Sequence, residues 1–202
     1  GETVVCPPPP EMEADTSFED GCLSVGIHVR DDGRQRNYYR LQVEHWMFHT
    51  DLYLEEDVPT VRTDTFVVYN GNVSGEAGWA LENSSILGAR RDLNPYNLFT
   101  NEGNEGEVMD FHAYFYTAMT QREEKRAIWK GDTIRYTESL TSRIRVRLLR
   151  LDESLYTFLY TLGLYEKQFD LYKEPTRIYS NVRDGMGVVG SCSARDAVFD
   201  FQ

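Results

Sequence analysis

A mainly β fold, an antiparallel sandwich of about seven or eight strands with one α-helix in the C-terminal third, is what this sequence predicts. Three observations carry that expectation. Apolar and polar residues alternate with period two, most cleanly at Leu23, Val25, Ile27 and Val29 against Ser24, Gly26 and His28. The chain holds 13 Tyr and 10 Phe in 202 residues, and aromatic rings pack well on a pleated surface. A helical stripe is legible once, at Leu151, Leu155, Phe158, Leu159, Leu162 and Tyr165, with Asp152 and Glu153 suited to the positive end of its dipole. Alternating strands with one polar face must bury the other. Two sheets therefore stack, or one curls strongly, and the helix closes an open edge or end.

The elements follow in order. Residues 1–20 read as a proline-rich lead-in, because Pro7 to Pro10 lack backbone donors and favour the extended polyproline conformation. Such a linker suits a chain with another domain ahead of it, and the sandwich is expected over residues 21–202. Cys22 to Val29 is a half-buried strand. Asp31-Asp32-Gly33 supplies a turn, and Tyr38 to Phe48 returns with Tyr39, Leu41, Val43 and Met47 on one side. Those two strands are expected to form an antiparallel hairpin. Thr65 to Tyr69 is a short strand ended by Asn70-Gly71, a strong turn signal. Residues 71–107 form a long excursion with apolar patches at Trp79, Ile86-Leu87 and Leu98-Phe99. Val108 to Met119 is a strand, and the charged stretch Gln121 to Trp129 reads as a loop or one helical turn. Asp132 to Thr137 and Arg143 to Leu149 are two strands around Glu138-Ser139. The second sets Ile144, Val146 and Leu148 against Arg143, Arg145 and Arg147, whose expected partners are carboxylates on the next strand. After the helix come a strand from Thr176 to Val182, a glycine turn, and an edge strand within Val188 to Phe201. No internal repeat is visible.

The formal net charge of −12 argues against nucleic acid and against charge-driven attachment to an anionic membrane. Its simplest use is solubility. No apolar run is long enough for a transmembrane helix. The chain starts at Gly1 without a signal peptide, so the native start is expected upstream. Cys6, Cys22 and Cys192 make no disulfide framework; free, packed thiols are expected, with one bridge, Cys6 to Cys22 or Cys22 to Cys192, as the alternative.

The motifs resolve mostly into structural readings. Gly185-Met186-Gly187-Val188-Val189-Gly190 has the letters of a dinucleotide fingerprint, but the residues after Gly190 leave no room for the helix that would hold a pyrophosphate. A turn is expected there. His45 and His49 on a strand stand about 13 Å apart and cannot share a metal. Gly71-Asn72-Val73-Ser74-Gly75 misplaces the serine of a nucleophile elbow. Cys192 has no electropositive neighbour in sequence. The carboxylate pairs at Glu55-Glu56-Asp57 and Glu123-Glu124 are ordinary in an acidic chain. Asn101 to Glu107 lacks the spacing of a calcium loop and reads as a solvated hairpin loop. Among Trp46, Trp79 and Trp129, a sugar-stacking platform is conceivable, with Trp46 on the outward face of its strand and Trp79 as candidate ligand-binding residues. No catalytic residue, metal or cofactor is assigned.

Asn37-Tyr38-Tyr39-Arg40-Leu41 after a strand and an Asp-Gly turn, Tyr156 in the helix, Glu174-Pro175, Tyr179-Ser180-Asn181-Val182 and Gly185-Met186-Gly187 together resemble the C-terminal portion of a family of Bacteroidetes lipoproteins, domain of unknown function 4249. Leu98-Phe99 and Gly106 resemble its middle segment. The tail departs, with Val189 where the family usually carries an aromatic residue. The resemblance implies a lipoprotein with a preceding β-sandwich domain, held at the outer membrane, periplasmic or surface-facing, by an N-terminal lipid anchor that this stretch lacks. It also implies an association with TonB-dependent transporters, and it supplies no catalytic residues. The expected function is a non-catalytic binding or assembly role in the cell envelope. A carbohydrate-binding module with a glycan partner, and a hydrolase, are the alternatives.

Overall fold

The computed structural model describes residues 6–19, 22–31, 33–70, 73–75, 95–103, 106–116, 121–166 and 177–201. Ten strands and one helix follow one another as β1 (Glu11–Glu19), β2 (Cys22–Arg30), β3 (Tyr38–Glu55), β4 (Val58–Asn70), β5 (Val73–Gly75), β6 (Leu98–Thr100), β7 (Val108–Tyr116), β8 (Gln121–Trp129), β9 (Asp132–Leu151), α1 (Glu153–Glu166) and β10 (Cys192–Phe201). They make two antiparallel sheets and no closed barrel. The smaller runs β1-β2-β7-β5; the larger runs β10-β9-β3-β4, with β6 paired to β3 and β8 to β9.

The alternation legible in the sequence builds the core. Val25, Ile27, Val29, Met109, Phe111 and Ala113 of the smaller sheet face Tyr39, Leu41, Val43, Ile144, Val146 and Leu148 of the larger one, all essentially inaccessible to solvent. Each such aliphatic or aromatic side chain contributes about 1.5–3 kcal/mol of burial. On the outer face of the larger sheet the arginine ladder finds its carboxylates across strands. Arg143 Nε donates to Asp200 at 2.6 Å, Arg147 Nε to Asp196 at 2.7 Å, and Arg145 Nε to Glu44 at 2.9 Å.

One end of the sandwich is closed by the helix. Leu155 N donates to Asp152 Oδ1 at 2.8 Å, so Asp152 caps α1. The same carboxylate accepts from Ser191 N and, at 3.0 Å, from its hydroxyl, which ties the helix start to the glycine turn before β10. A Cβ on Gly190 would lie 2.8 Å from the Leu155 Cβ, so this glycine permits close packing and cradles no phosphate. Tyr156 stacks on Tyr38 with centroids 4.7 Å apart, and the helix buries Leu98 and Leu151.

Below this helix lies a polar corner. Asp31, buried, accepts from Asn37 Nδ2 (3.1 Å), the Tyr39 hydroxyl (2.8 Å) and Asn101 Nδ2 (2.6 Å). Asn101 Oδ1 accepts from Asn37 N at 2.8 Å, and Arg150 Nη2 donates to Asn37 Oδ1 at 2.5 Å. Asn101 is thus committed to the fold and not to a calcium ion.

Several expectations are corrected. β2 and β3 do not form a hairpin; residues 31–37 cross from one sheet to the other around Asp31. The stretch 11–19, read as the end of a lead-in, is β1, paired along its length with β2; its Met12, Ala14 and Thr16 alternation was present beside the prolines. Residues 6–10 are also held, with Pro9 buried and Pro8 O accepting from Arg150 Nη1 at 3.2 Å. Gln121–Trp129 is a strand, and Asp132–Leu151 is one strand of 20 residues, not two. Residues 177–182 are not a strand, whereas Cys192–Phe201 is the edge strand expected. All three cysteines are free thiols. Trp79 lies outside the described residues.

The inward-facing His45 of β3 is 5% exposed, sits edge-on to Phe115 at 5.4 Å, and its Nε2 has no partner among the described residues. Burial holds its pKa below the usual 6.5. Folding therefore expels a proton, so its contribution is fully present above pH 6.5 and is lost as pH falls through the lowered folded value. Replacing His45 by Leu removes an unsatisfied buried nitrogen. Chemical denaturation at pH 7 should show a gain of about 1 kcal/mol, and at pH 5 a larger one. An unchanged pH profile in His45→Leu would count against this reading.

Candidate functional site

The two central strands of the larger sheet are too long for the sandwich. β3 has 18 residues and β9 has 20, against nine each in β1, β2 and β7 of the smaller sheet. At about 3.3 Å per residue the excess reaches well past the core. The β3–β9 ladder ends at Thr50↔Ser139. Beyond it β3 continues with β4 alone, to Glu55↔Val58, and β9 with β8 alone, to Trp129↔Asp132. Ser139 and Leu140 pair with β3 on one side and β8 on the other, so β8 lies on the β10 side of β9. The outcome is a fork of two β-ribbons springing from one end of the sandwich, opposite the helix.

Along the β3–β4 ribbon the apolar side changes. Within the sandwich Tyr39, Leu41 and Val43 face in, and Arg40, Gln42 and Glu44 lie on the other face. Past Phe48 the inward side carries His49, Asp51, Tyr53 and Glu55, while Phe48, Leu52 and Leu54 continue the outward one. Across from them stand Thr65, Val61 and Pro59. Leu54 is 60% exposed, Val58 59% and Val61 51%; at the other ribbon's tip Ile128 reaches 80%. Apolar side chains collected on exposed ribbons mark contact surfaces more often than solvated ones. Among the described residues β4 pairs only with β3, so its long free edge offers unpaired ladder groups.

The inward side of the fork is polar. A groove of about 540 Å³ is lined by His49, Gln121, Arg122, Glu123, Lys125 and Glu138, among others. His49 Nε2 stands 3.4 Å from Glu138 Oε1, and Lys125 Nζ pairs with Glu138 Oε2. Asp51 follows two positions after His49 on the same face. Its ligand oxygen, His49 nitrogen and Glu138 oxygen all lie within 4.8 Å of one another. Next to them Arg62 Nε donates to Asp64 Oδ1 at 3.0 Å, and its guanidinium lies 4.4 Å from the Tyr53 ring centroid. The Arg62 hydrogen bond holds the Asp64 carboxyl below its usual range. Asp51 and Glu138 sit side by side, from neighbouring strands on one sheet face. Two carboxylates so placed cannot flank a glycosidic bond from opposite sides, as a glycosidase requires.

On the outer face of the smaller sheet His28 is gripped by two carboxylates, Asp110 Oδ1 at 2.7 Å from Nδ1 and Asp15 Oδ2 at 3.1 Å from Nε2. These hydrogen bonds, Asp110's first, raise its pKa above 6.5. Its contribution to stability is present below pH 6.5 and fades as pH rises through the raised value, the reverse of His45.

Of the two tryptophans proposed from sequence as ligand-binding, Trp46 does lie on the outward face of β3. Its Nε1 donates to Glu44 Oε2 at 3.0 Å, and the Arg145 guanidinium lies 5.6 Å from its ring centroid. Arg145 therefore competes for the surface a sugar would stack on, and the indole donor is already used. The His45–His49 separation on a strand is as expected. The meeting of His49 with Glu138, 89 positions away, could not be read, because it depends on the β3–β9 register. Period-two spacing of His49 and Asp51 was the only signal available.

Comparison with curated proteins and with solved structures finds no match. The family model described as Domain of unknown function (DUF4249) matches residues 2–197, nearly the whole chain. With its paired sheets, its single helix and the motifs that resemble that family, the chain belongs to the DUF4249 family.

Proposed function

We propose that this domain is a non-catalytic binding and assembly module of an envelope lipoprotein of Bacteroidetes-type bacteria, anchored at the outer membrane by an N-terminal lipid and docking a protein partner there, a TonB-dependent transporter. The observation that supports the reading is the inversion of the β3–β4 ribbon, which turns Leu54 and Val61 to solvent beside a free strand edge. A partner strand added to β4 would gain ladder hydrogen bonds and cover those side chains. A glycan needs stacking faces that Trp46 shares with Arg145.

The test uses the full-length protein in its native envelope, with photo-crosslinking side chains placed at Leu54 or Val61. The expected result is an adduct whose second component mass spectrometry identifies as a TonB-dependent transporter. Leu54→Asp with Val61→Asp should lower its recovery about tenfold, about 1.4 kcal/mol of binding. Adducts with no such transporter, or equal recovery by the double variant, would refute the proposal.

A further inference from the structure

We infer that the inward side of the fork is a binding site for a divalent transition-metal ion, zinc foremost, held by His49, Asp51 and Glu138. The three residues are the types such ions take, one imidazole and two carboxylates. Their positions are fixed by the sheet. His49 and Asp51 are two apart on β3 and so share a face. Glu138 comes from β9, one step past the last paired residues Thr50↔Ser139. The candidate ligand atoms already lie within 4.8 Å of one another. A zinc ion with bonds of about 2.0–2.2 Å draws tetrahedral ligands to about 3.4 Å, a closure that half-exposed side chains reach by small rotations.

Two features make this more than a meeting of charges. Glu138 divides its oxygens: Oε2 pairs with Lys125, and Oε1 faces His49 Nε2 at 3.4 Å. The oxygen facing the imidazole is thus available to an ion. The groove of about 540 Å³ beside the three leaves room for water or a partner's ligand at a fourth position. An ion there would bridge β3 and β9 where their ladder ends, and clip the two ribbons at their root. The site lies on the face opposite Leu54 and Val61, so it does not rest on the docking proposal.

Lys125 gives the test its sharpest arm. Its ammonium competes with an ion for the negative charge of Glu138, so Lys125→Ala should bind zinc more tightly. A purely structural Glu138 predicts no such gain. Titration of the purified, untagged chain with zinc chloride by calorimetry should show one equivalent bound. His49→Ala and Glu138→Gln should each weaken it at least about tenfold, while His28→Ala leaves it unchanged. Circular dichroism melts confirm that the variants are folded, and Asp51→Asn serves if His49→Ala is not. Cobalt titrated in place of zinc should develop visible absorption that His49→Ala abolishes. No zinc uptake by the parent chain, uptake that persists in His49→Ala, or uptake lost in His28→Ala would each overturn the assignment.

Discussion

Asp31→Ala should lower the unfolding free energy by about 3–5 kcal/mol, a large share of the roughly 5–15 kcal/mol that holds a domain of this size. The carboxylate is 6% exposed and serves three side-chain donors, from Asn37, Tyr39 and Asn101. Deleting it strands them. Each buried donor left without a partner costs about 1–3 kcal/mol, partly relieved as the amides turn to other acceptors. Asp31→Asn keeps one acceptor but brings an NH₂ towards the same donors, so an intermediate loss is expected. Urea denaturation with an unchanged slope and a shifted midpoint is the measurement. A loss below about 1 kcal/mol in Asp31→Ala would mean that the corner does not hold the crossing between sheets.

That corner shows where reading the chain stops. Asp31-Asp32-Gly33 has the composition of a hairpin turn, and the strands around it alternate as hairpin strands do. What sends β2 and β3 to different sheets is the inward carboxylate, and its donors include Asn101, 70 positions away. Local pattern is blind to such a partner. The strands read correctly, β2, the first half of β3 and the second half of β9, are those with one face in the core and one in water. β8 and the first half of β9 were missed because the ribbons have no covered face, so their residues need not alternate; four of the first five in β8 are exposed. The inversion past Phe48 could have been noticed, since Leu52 and Leu54 fall on the opposite parity to Leu41 and Val43. It carries meaning only once the sandwich is known to end there. The glycine turn was legible for a simpler reason, since chain length alone forbade the helix a dinucleotide needs. The polar groove was not legible, because its third member arrives on another strand by register.

The same corner is coupled to the aromatic core, and a second substitution exposes the link. Phe99→Ala should cost about 3–5 kcal/mol, the range for deleting a fully buried ring. Phe99 is 0% exposed and comes from β6, three residues long, yet its centroid lies 5.1 Å from that of Tyr39 and 4.6 Å from that of Phe111. It thus bridges the two sheets. A three-residue strand has too few ladder bonds to dock itself, so the ring is the main force seating β6 on β3. Seating β6 also places Asn97, whose carbonyl accepts from Leu41 N at 3.0 Å, and Asn101, which follows one residue past the strand. Tyr39 belongs to both groups, stacking on Phe99 and donating to Asp31. The losses in Phe99→Ala and Asp31→Ala should therefore overlap, with the double variant less destabilised than the sum by about 0.5–3 kcal/mol. Additive losses would mean that the ring and the carboxylate hold separate parts of the molecule, and that Tyr39 transmits nothing between them.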